Sequence, residues 1–290
     1  MGRPVRLNLS WLKPPPTPPD GSMTLFEHLR ELRYRLVIAV GAILIGMIIS
    51  ALFYPQLFDI LRHPYDVAIA NLKEKNPDQV TDLVNMGLTS PFTLALKVCM
   101  VSGLVLTAPI WLYQLWAFIV PGLLAKEKKW AMIFIGTATP LFLAGVVVGY
   151  LIMPKGITVL LSFTQDGVAN LQNINDFLSF MLRLMIVFGI AFLIPLIVLM
   201  LNIVGVVKAS QLSKARIYVI FGTFVFGAVA TPSTDPFSML ALAVPMATLF
   251  LIAEAIAHVL DRRKARRKAV GDGEIVLHDK ALDDLDQTSD

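Results

Sequence analysis

Residues 177–204 read FLSFMLRLMIVFGIAFLIPLIVLMLNIV, with one charge, Arg183, in the whole run. A helix needs about 20 apolar residues to cross a hydrocarbon core of about 30 Å. Phe177–Val204 meets that length with residues to spare. Working outward, five more apolar stretches appear: Leu36–Tyr54, Phe92–Val120, Trp130–Met153, Ile217–Ala230 and Phe237–Val259. The fifth in chain order is short, and the sixth carries polar residues. Composition agrees, with 56% hydrophobic and 16% charged residues among 290 and a mean hydropathy of +0.69. No ordinary soluble domain has that balance. The chain is read as an all-α polytopic membrane protein with six transmembrane helices.

Charge sets its expected orientation. The segment before the first span holds Arg3, Arg6, Lys13, Arg30, Arg33 and Arg35, and the gap after the second holds Lys126, Lys128 and Lys129. Lys208, Lys214 and Arg216 follow the fourth span, and the tail holds Arg262, Arg263, Lys264, Arg266, Arg267, Lys268 and Lys280, so 19 of the 25 basic residues fall on one side. Basic loops stay in the cytoplasm, which places both termini there, in the cell membrane. The tail's basic cluster suits anionic lipid headgroups better than nucleic acid.

Residues 1–22 form a proline-rich leader, expected to be extended and disordered. Nothing in it resembles a cleavable signal. Residues 23–260 form the membrane domain, and 261–290 a basic, then acidic, tail. Thr24 and Glu27 have capping-box spacing. Leu25, Leu29, Leu32 and Leu36 then make an amphipathic stripe that puts Arg30, Glu31 and Arg33 on the other face. The long first exterior gap, Pro55–Pro91, should carry short helices capping that face. Pro109, Pro140, Pro195 and Pro245 lie inside spans and kink them. Kinked, tilted helices favour a concave, bowl-like arrangement. The fifth and sixth spans, joined by a tight turn at Thr231–Pro236, read as a short hairpin over which the bilayer thins.

Catalytic sets are missing from the sequence. His28, His63, His258 and His278 have no metal-ligand spacing, and Cys99 is the single cysteine. There is no nucleophile elbow and no phosphate loop. No enzyme activity, metal or cofactor is expected. An ion-coupled transporter would show ionisable groups near the midplane. The candidates Lys97, Arg183, Glu254 and His258 all lie near span ends, within snorkelling reach.

Three local sequences remain. His28-Leu29-Arg30-Glu31-Leu32-Arg33-Tyr34-Arg35 stands at the mouth of span one. Pro109-Ile110-Trp111-Leu112-Tyr113-Gln114-Leu115-Trp116-Ala117-Phe118-Ile119-Val120-Pro121-Gly122-Leu123 ends span two and is followed by Lys126-Glu127. Thr231-Pro232 with Asp235-Pro236 forms the last turn, and Ser90-Pro91-Phe92 opens span two. In this order and topology they resemble the TatC family, the multispanning subunit of the twin-arginine protein translocase, over residues 23–260.

The resemblance implies a receptor for signal peptides carrying two consecutive arginines. It also implies TatA/TatB-type single-span partners, contacts with other TatC copies, and export of folded proteins driven by the proton gradient. A guanidinium is a planar fork of donors that a carboxylate accepts bidentately. The resemblance makes Glu31 and Glu127 the signal-binding carboxylates, supported by Phe118 and Gln114. Read from the residues alone, Glu31 is equally an i+4 partner of Arg35, and Glu127 a solvated charge. Arg33 either orients Glu31 or meets headgroups. Trp111 and Tyr113 read as aromatic-belt residues. Asp235 matches an acidic position of the family's turn or caps a helix. Two positions depart from the family: Leu193 stands where a span-four glutamate or glutamine is common, and Leu251 where span six often has a glutamate. Glu254, one turn on, is a candidate substitute. Arg183 either pairs with Asp176 or faces headgroups. An ion-coupled solute transporter and a diverged scaffold are the competing readings.

Overall fold

In the computed structural model the described residues are 25–75, 81–119, 128–164, 170–230, 236, 239–240 and 242–263. The elements, in chain order, are α1 (Leu25–Leu52), α2 (Tyr54–Lys75), β1 (Thr81–Val84), α3 (Ser90–Leu106), α4 (Ala108–Ile119), α5 (Lys128–Leu161), β2 (Asn170–Asn173), α6 (Ile174–Val204) and α7 (Ala209–Ala230). A last helix, α8, covers Leu242–Arg263. The helices α1, α5, α6, α7 and α8 are each long and apolar enough to cross a membrane, and α3 with α4 makes a sixth, broken span. The leader, the tail beyond Arg263, Glu127 and Asp235 lie outside the described residues.

The chain clusters into two compact units, residues 1–191 and 192–290. Within the first, α1 carries its leucine stripe outward, as a helix lying against the membrane interface would. Leu29, Leu32 and Leu36 are exposed, while Glu31 is 3% exposed. In a bilayer the apolar stripe turns outward to lipid, and small or polar residues face the protein. Gly46 and Ser50 continue the inward face. Gly46 meets Gly103 of α3 where the two backbones touch. A Cβ on Gly103 would fall against the Met47 amide nitrogen, and one on Gly46 would stand 2.7 Å from the Gly103 carbonyl. Glycine at Gly145 serves α5 and α6 in the same way, with its virtual Cβ 2.8 Å from Gly189 Cα.

The second span breaks by 65° between α3 and α4. Pro109 has no N–H to offer the preceding turn, and its ring disfavours helical geometry just before it. At the break Trp111 Nε1 donates to the Leu104 carbonyl (2.9 Å), and Thr107 Oγ1 adds a second bond to the Gly103 carbonyl (2.8 Å), which also accepts from the Thr107 N–H. Trp111 is therefore a brace at the bend, with Phe142 edge-on at 5.3 Å. Trp116 is buried and stacks on Phe134 of α5 at 4.1 Å. Tyr113 is exposed, as a belt residue would be.

The first loop holds one 22-residue helix, α2, where short helices were expected, together with β1. Leu61, Tyr65, Ala68 and Leu72 form its buried stripe at helical spacing. Pro64 cannot donate to the Ile60 carbonyl, and Tyr150 Oη of α5 donates to it instead at 2.9 Å, fastening α2 to the third span. β1 pairs in parallel with β2, Thr81 opposite Asn170 and Val84 opposite Asn173, tying the first loop to the second. The third span runs past its expected end at Met153 to Leu161, because Pro154 is accommodated inside the helix.

Lys97 does not snorkel. Its ammonium donates to Asn175 Oδ1 (2.9 Å) and Ser179 Oγ (2.8 Å) of α6. Asn175 Nδ2 in turn donates to Ser90 Oγ at 3.0 Å, so the starts of α3 and α6 share one polar joint.

In the second unit, α6 ends in a Schellman turn. Gly205 has φ +92°, and the Val206 N–H donates to the Leu201 carbonyl at 2.9 Å. Asp261 of α8 accepts from the Ala209 N–H at 2.8 Å, capping the start of α7. The fifth span begins at Ala209, well before the expected Ile217, because its first two turns are polar. Ala209, Leu212, Phe250 and Ala257 form a small core there, with Val198, Leu199, Val207 and Val219 packed against it.

Candidate functional site

The first turns of α1 and the last turns of α4 build the site. The bend before Pro109 swings α4 so that Gln114 and Phe118 come beside α1, where both line one groove with Leu32, Leu36 and Val40. The groove encloses about 280 Å³, and its lining is almost wholly apolar apart from Arg35 and Gln114. The imidazole of His28 stacks on Phe118, with centroids 4.5 Å apart and planes 15° from parallel.

Glu31 is the buried charge of this end. Arg35, one turn on, donates to Glu31 Oε1 through Nε (2.9 Å) and its second guanidinium nitrogen. The other oxygen, Oε2, is buried and has no hydrogen-bond partner among the described residues. An unmet buried acceptor costs about 1–3 kcal/mol, more when charged. A buried carboxylate with one oxygen unmet among the described residues still has the capacity to accept another donor.

The pairing of Glu31 with Arg35 at i+4 is thus real, and among the described residues it engages one of the two carboxylate oxygens. Arg35 was legible as a partner through that spacing. The stacking of His28 was not, because it depends on where α4 lands. Arg33 is exposed and makes no ion pair among the described residues. Gln114 lines the groove. Glu127 lies outside the described residues, as does Asp235.

The remaining candidates stand elsewhere. Arg183 is exposed, with no ion pair to Asp176. Leu193 is buried, and Leu251 is 41% exposed. Glu254, 2% exposed, accepts from Arg216 Nε (2.9 Å, to Oε2), from the other Arg216 nitrogen (2.7 Å, to Oε1) and from Ser213 Oγ (2.7 Å). Its carboxylate is taken up inside its own unit.

Six apolar spans, broken once and held by glycine crossings and buried polar joints, define a multispanning membrane protein. The profile described as Sec-independent protein translocase protein (TatC) matches residues 27–245. The TatC of Frankia casuarinae is 42% identical over 252 residues, covering 86% of this chain and 69% of that protein. The TatC of Xylanimonas cellulosilytica is 36% identical, covering 85% and 88%. A crystal structure of the twin-arginine translocase receptor TatC in DDM superposes with a TM-score of 0.67 at 32% identity, covering 79% of this chain and 99% of that one. The chain belongs to the TatC family, which makes it a component of a protein translocase in a membrane.

Proposed function

We propose that this chain is the receptor for twin-arginine signal peptides and the core of a translocase that exports folded proteins. Glu31 carries the reading: a buried carboxylate, half committed to Arg35 and half open, at the mouth of an apolar groove. One signal arginine docks on Glu31 and the other on Glu127. Phe118 and Gln114 shape the groove that receives the adjoining apolar residues. Each charge-assisted bond is worth about 1.5–3 kcal/mol. Lysine lacks the planar fork and replaces arginine poorly. Both termini face the cytoplasm, as the basic residues direct. Single-span TatA/TatB-type subunits and further TatC copies complete the machine, and the proton gradient drives it. This chain is not an enzyme.

The test is site-specific photocrosslinking from Gln114 to a twin-arginine precursor in membrane vesicles. Glu31→Ala should cut crosslinking roughly tenfold to a hundredfold, the range of one lost charge-assisted bond. A lysine-lysine signal should do the same to the unaltered chain. Equal crosslinking with all three would overturn the receptor reading in favour of a scaffold that keeps the fold alone.

A further inference from the structure

Arg35 stands one turn after Glu31 on α1 and lines the apolar groove beside Gln114 and Phe118. Its side chain is 18% exposed, against 4% for that of Glu31. Its Nε (2.9 Å) and its second terminal nitrogen both donate to Glu31 Oε1, so one edge of the guanidinium closes on a single oxygen. We propose, on the receptor reading, that Arg35 is a resident competitor of the signal peptide. It holds Glu31 in the place of a signal arginine, and the arriving guanidinium binds by displacing it.

The geometry of the pair makes displacement the route. A guanidinium and a carboxylate join most strongly fork to fork, through two parallel N–H···O bonds. Glu31 cannot offer an arriving arginine both oxygens while Arg35 holds Oε1. Oε2, buried and without a hydrogen-bond partner among the described residues, gives the first contact. The fork closes when Arg35 leaves Oε1. Two cations on one carboxylate repel each other, which favours that departure. Arg35 stands near the start of a spanning helix, and its long stem lets the released guanidinium snorkel to interfacial water and headgroups.

The other cations of this end do not share the role. Arg30 and Arg33 are exposed and make no ion pair among the described residues. A site held by an internal partner binds its ligand with an affinity reduced by the fraction of the site that is free. Arg35 therefore sets a threshold. An isolated basic residue on an unrelated peptide fails to dislodge it, while a signal whose second arginine reaches Glu127 succeeds.

Peptide binding to the full chain in lipid nanodiscs tests this. Two synthetic peptides carry Arg-Arg or Gln-Gln before the same apolar stretch. Arg35→Gln should bind the Arg-Arg peptide about tenfold more tightly than the unaltered chain does, the range of one charge-assisted bond that no longer has to be broken. Arg35→Lys keeps a cation beside Glu31 but lacks the fork, and should gain about threefold. It also decides the matter should Arg35→Gln not fold. Neither variant should change binding of the Gln-Gln peptide. Equal or weaker Arg-Arg binding in a folded variant, with Glu31→Ala still losing affinity, would overturn the competitor and leave the receptor reading standing. A matching gain for Gln-Gln would mean that the variants only widen the groove, and would overturn it as well. Undiminished Arg-Arg binding in Glu31→Ala would remove both readings together.

Discussion

At Glu31 a helix surface that would be ordinary in water is turned inside out by lipid. Leucine spacing on α1 marks an apolar face, and in a soluble protein that face packs inward. Here it is exposed, and the carboxylate on the opposite face is buried beside Arg35. The same inversion explains why the inward positions of α1 are Gly46 and Ser50 rather than leucines. Tyr65 shows the opposite case, an aromatic that is buried on a helix lying outside the spans. Its hydroxyl has no hydrogen-bond partner among the described residues, and its ring meets Phe177 at 5.2 Å. Burial first, and then the Asp82 and Asp66 carboxylates, push its pKa up to about 12. The docked helix therefore favours the neutral phenol. The stability this contributes is complete below pH 10, tyrosine's ordinary value, and is lost as pH rises through about 12. Thermal unfolding in detergent should thus show a falling melting temperature above pH 10, and Tyr65→Phe should flatten that fall. At neutral pH the variant should stay within about 1 kcal/mol of the parent, since the hydroxyl it loses was unpaired. A parent melting temperature that is level to pH 11, or a fall that persists in Tyr65→Phe, would refute this account. Of the site residues, Glu31 was legible from its motif, and Arg35 from its spacing. The pairing of His28 with Phe118 was not, because no local pattern reports which side chains a bend brings together.

Elements here are shaped by what glycine and proline permit. Six spans were readable from hydropathy, since a bilayer demands length and apolarity of each one. Their ends were less readable. The third span continues through Pro154 and the fifth starts within polar sequence, because helices extend past the hydrocarbon core wherever hydrogen bonding continues to pay. The break at Thr107 follows from Pro109, yet neither its angle of 65° nor the bond from Trp111 to the Leu104 carbonyl across it has a local signal. The closeness of α1 to α3 depends on two glycines far apart in sequence, a pairing no local pattern reveals. Gly103→Leu should lower the melting temperature in detergent by an amount matching about 1–3 kcal/mol or more, the usual cost of overpacking. Gly41 is the internal control, because a Cβ there meets nothing within 4 Å. Gly41→Ala should be neutral or stabilising by up to about 1 kcal/mol, through helix propensity. Equal effects at the two positions would mean that the α1–α3 contact is looser than the structure has it.

Across the whole molecule, charge and joints divide the labour. Basic residues crowd one side of the membrane in the sequence, and that asymmetry orients a polytopic chain during insertion. Polar joints then fix helix against helix: Lys97 with Asn175 in the first unit, and Glu254 with Arg216 in the second. Glu254, the buried carboxylate of span six, is satisfied inside its own unit by Arg216 and Ser213. The receptor reading needs the termini in the cytoplasm, which cysteine labelling can check directly. The chain suits the experiment because its one cysteine, Cys99, is buried, and background labelling is therefore low. Asp66, exposed on α2, and Lys214, exposed on α7, lie on opposite sides in the proposed topology. A membrane-impermeant maleimide added to intact cells should label Asp66→Cys and spare Lys214→Cys until the membrane is opened. The reverse pattern would put the Glu31 groove on the exterior side, where no signal peptide waiting in the cytoplasm could reach it. Labelling of both positions in intact cells would show that the chain inserts in two orientations. Either result would remove the topological basis of the receptor reading, and neither would disturb the glycine crossings or the polar joints, which are the same whichever way the molecule faces.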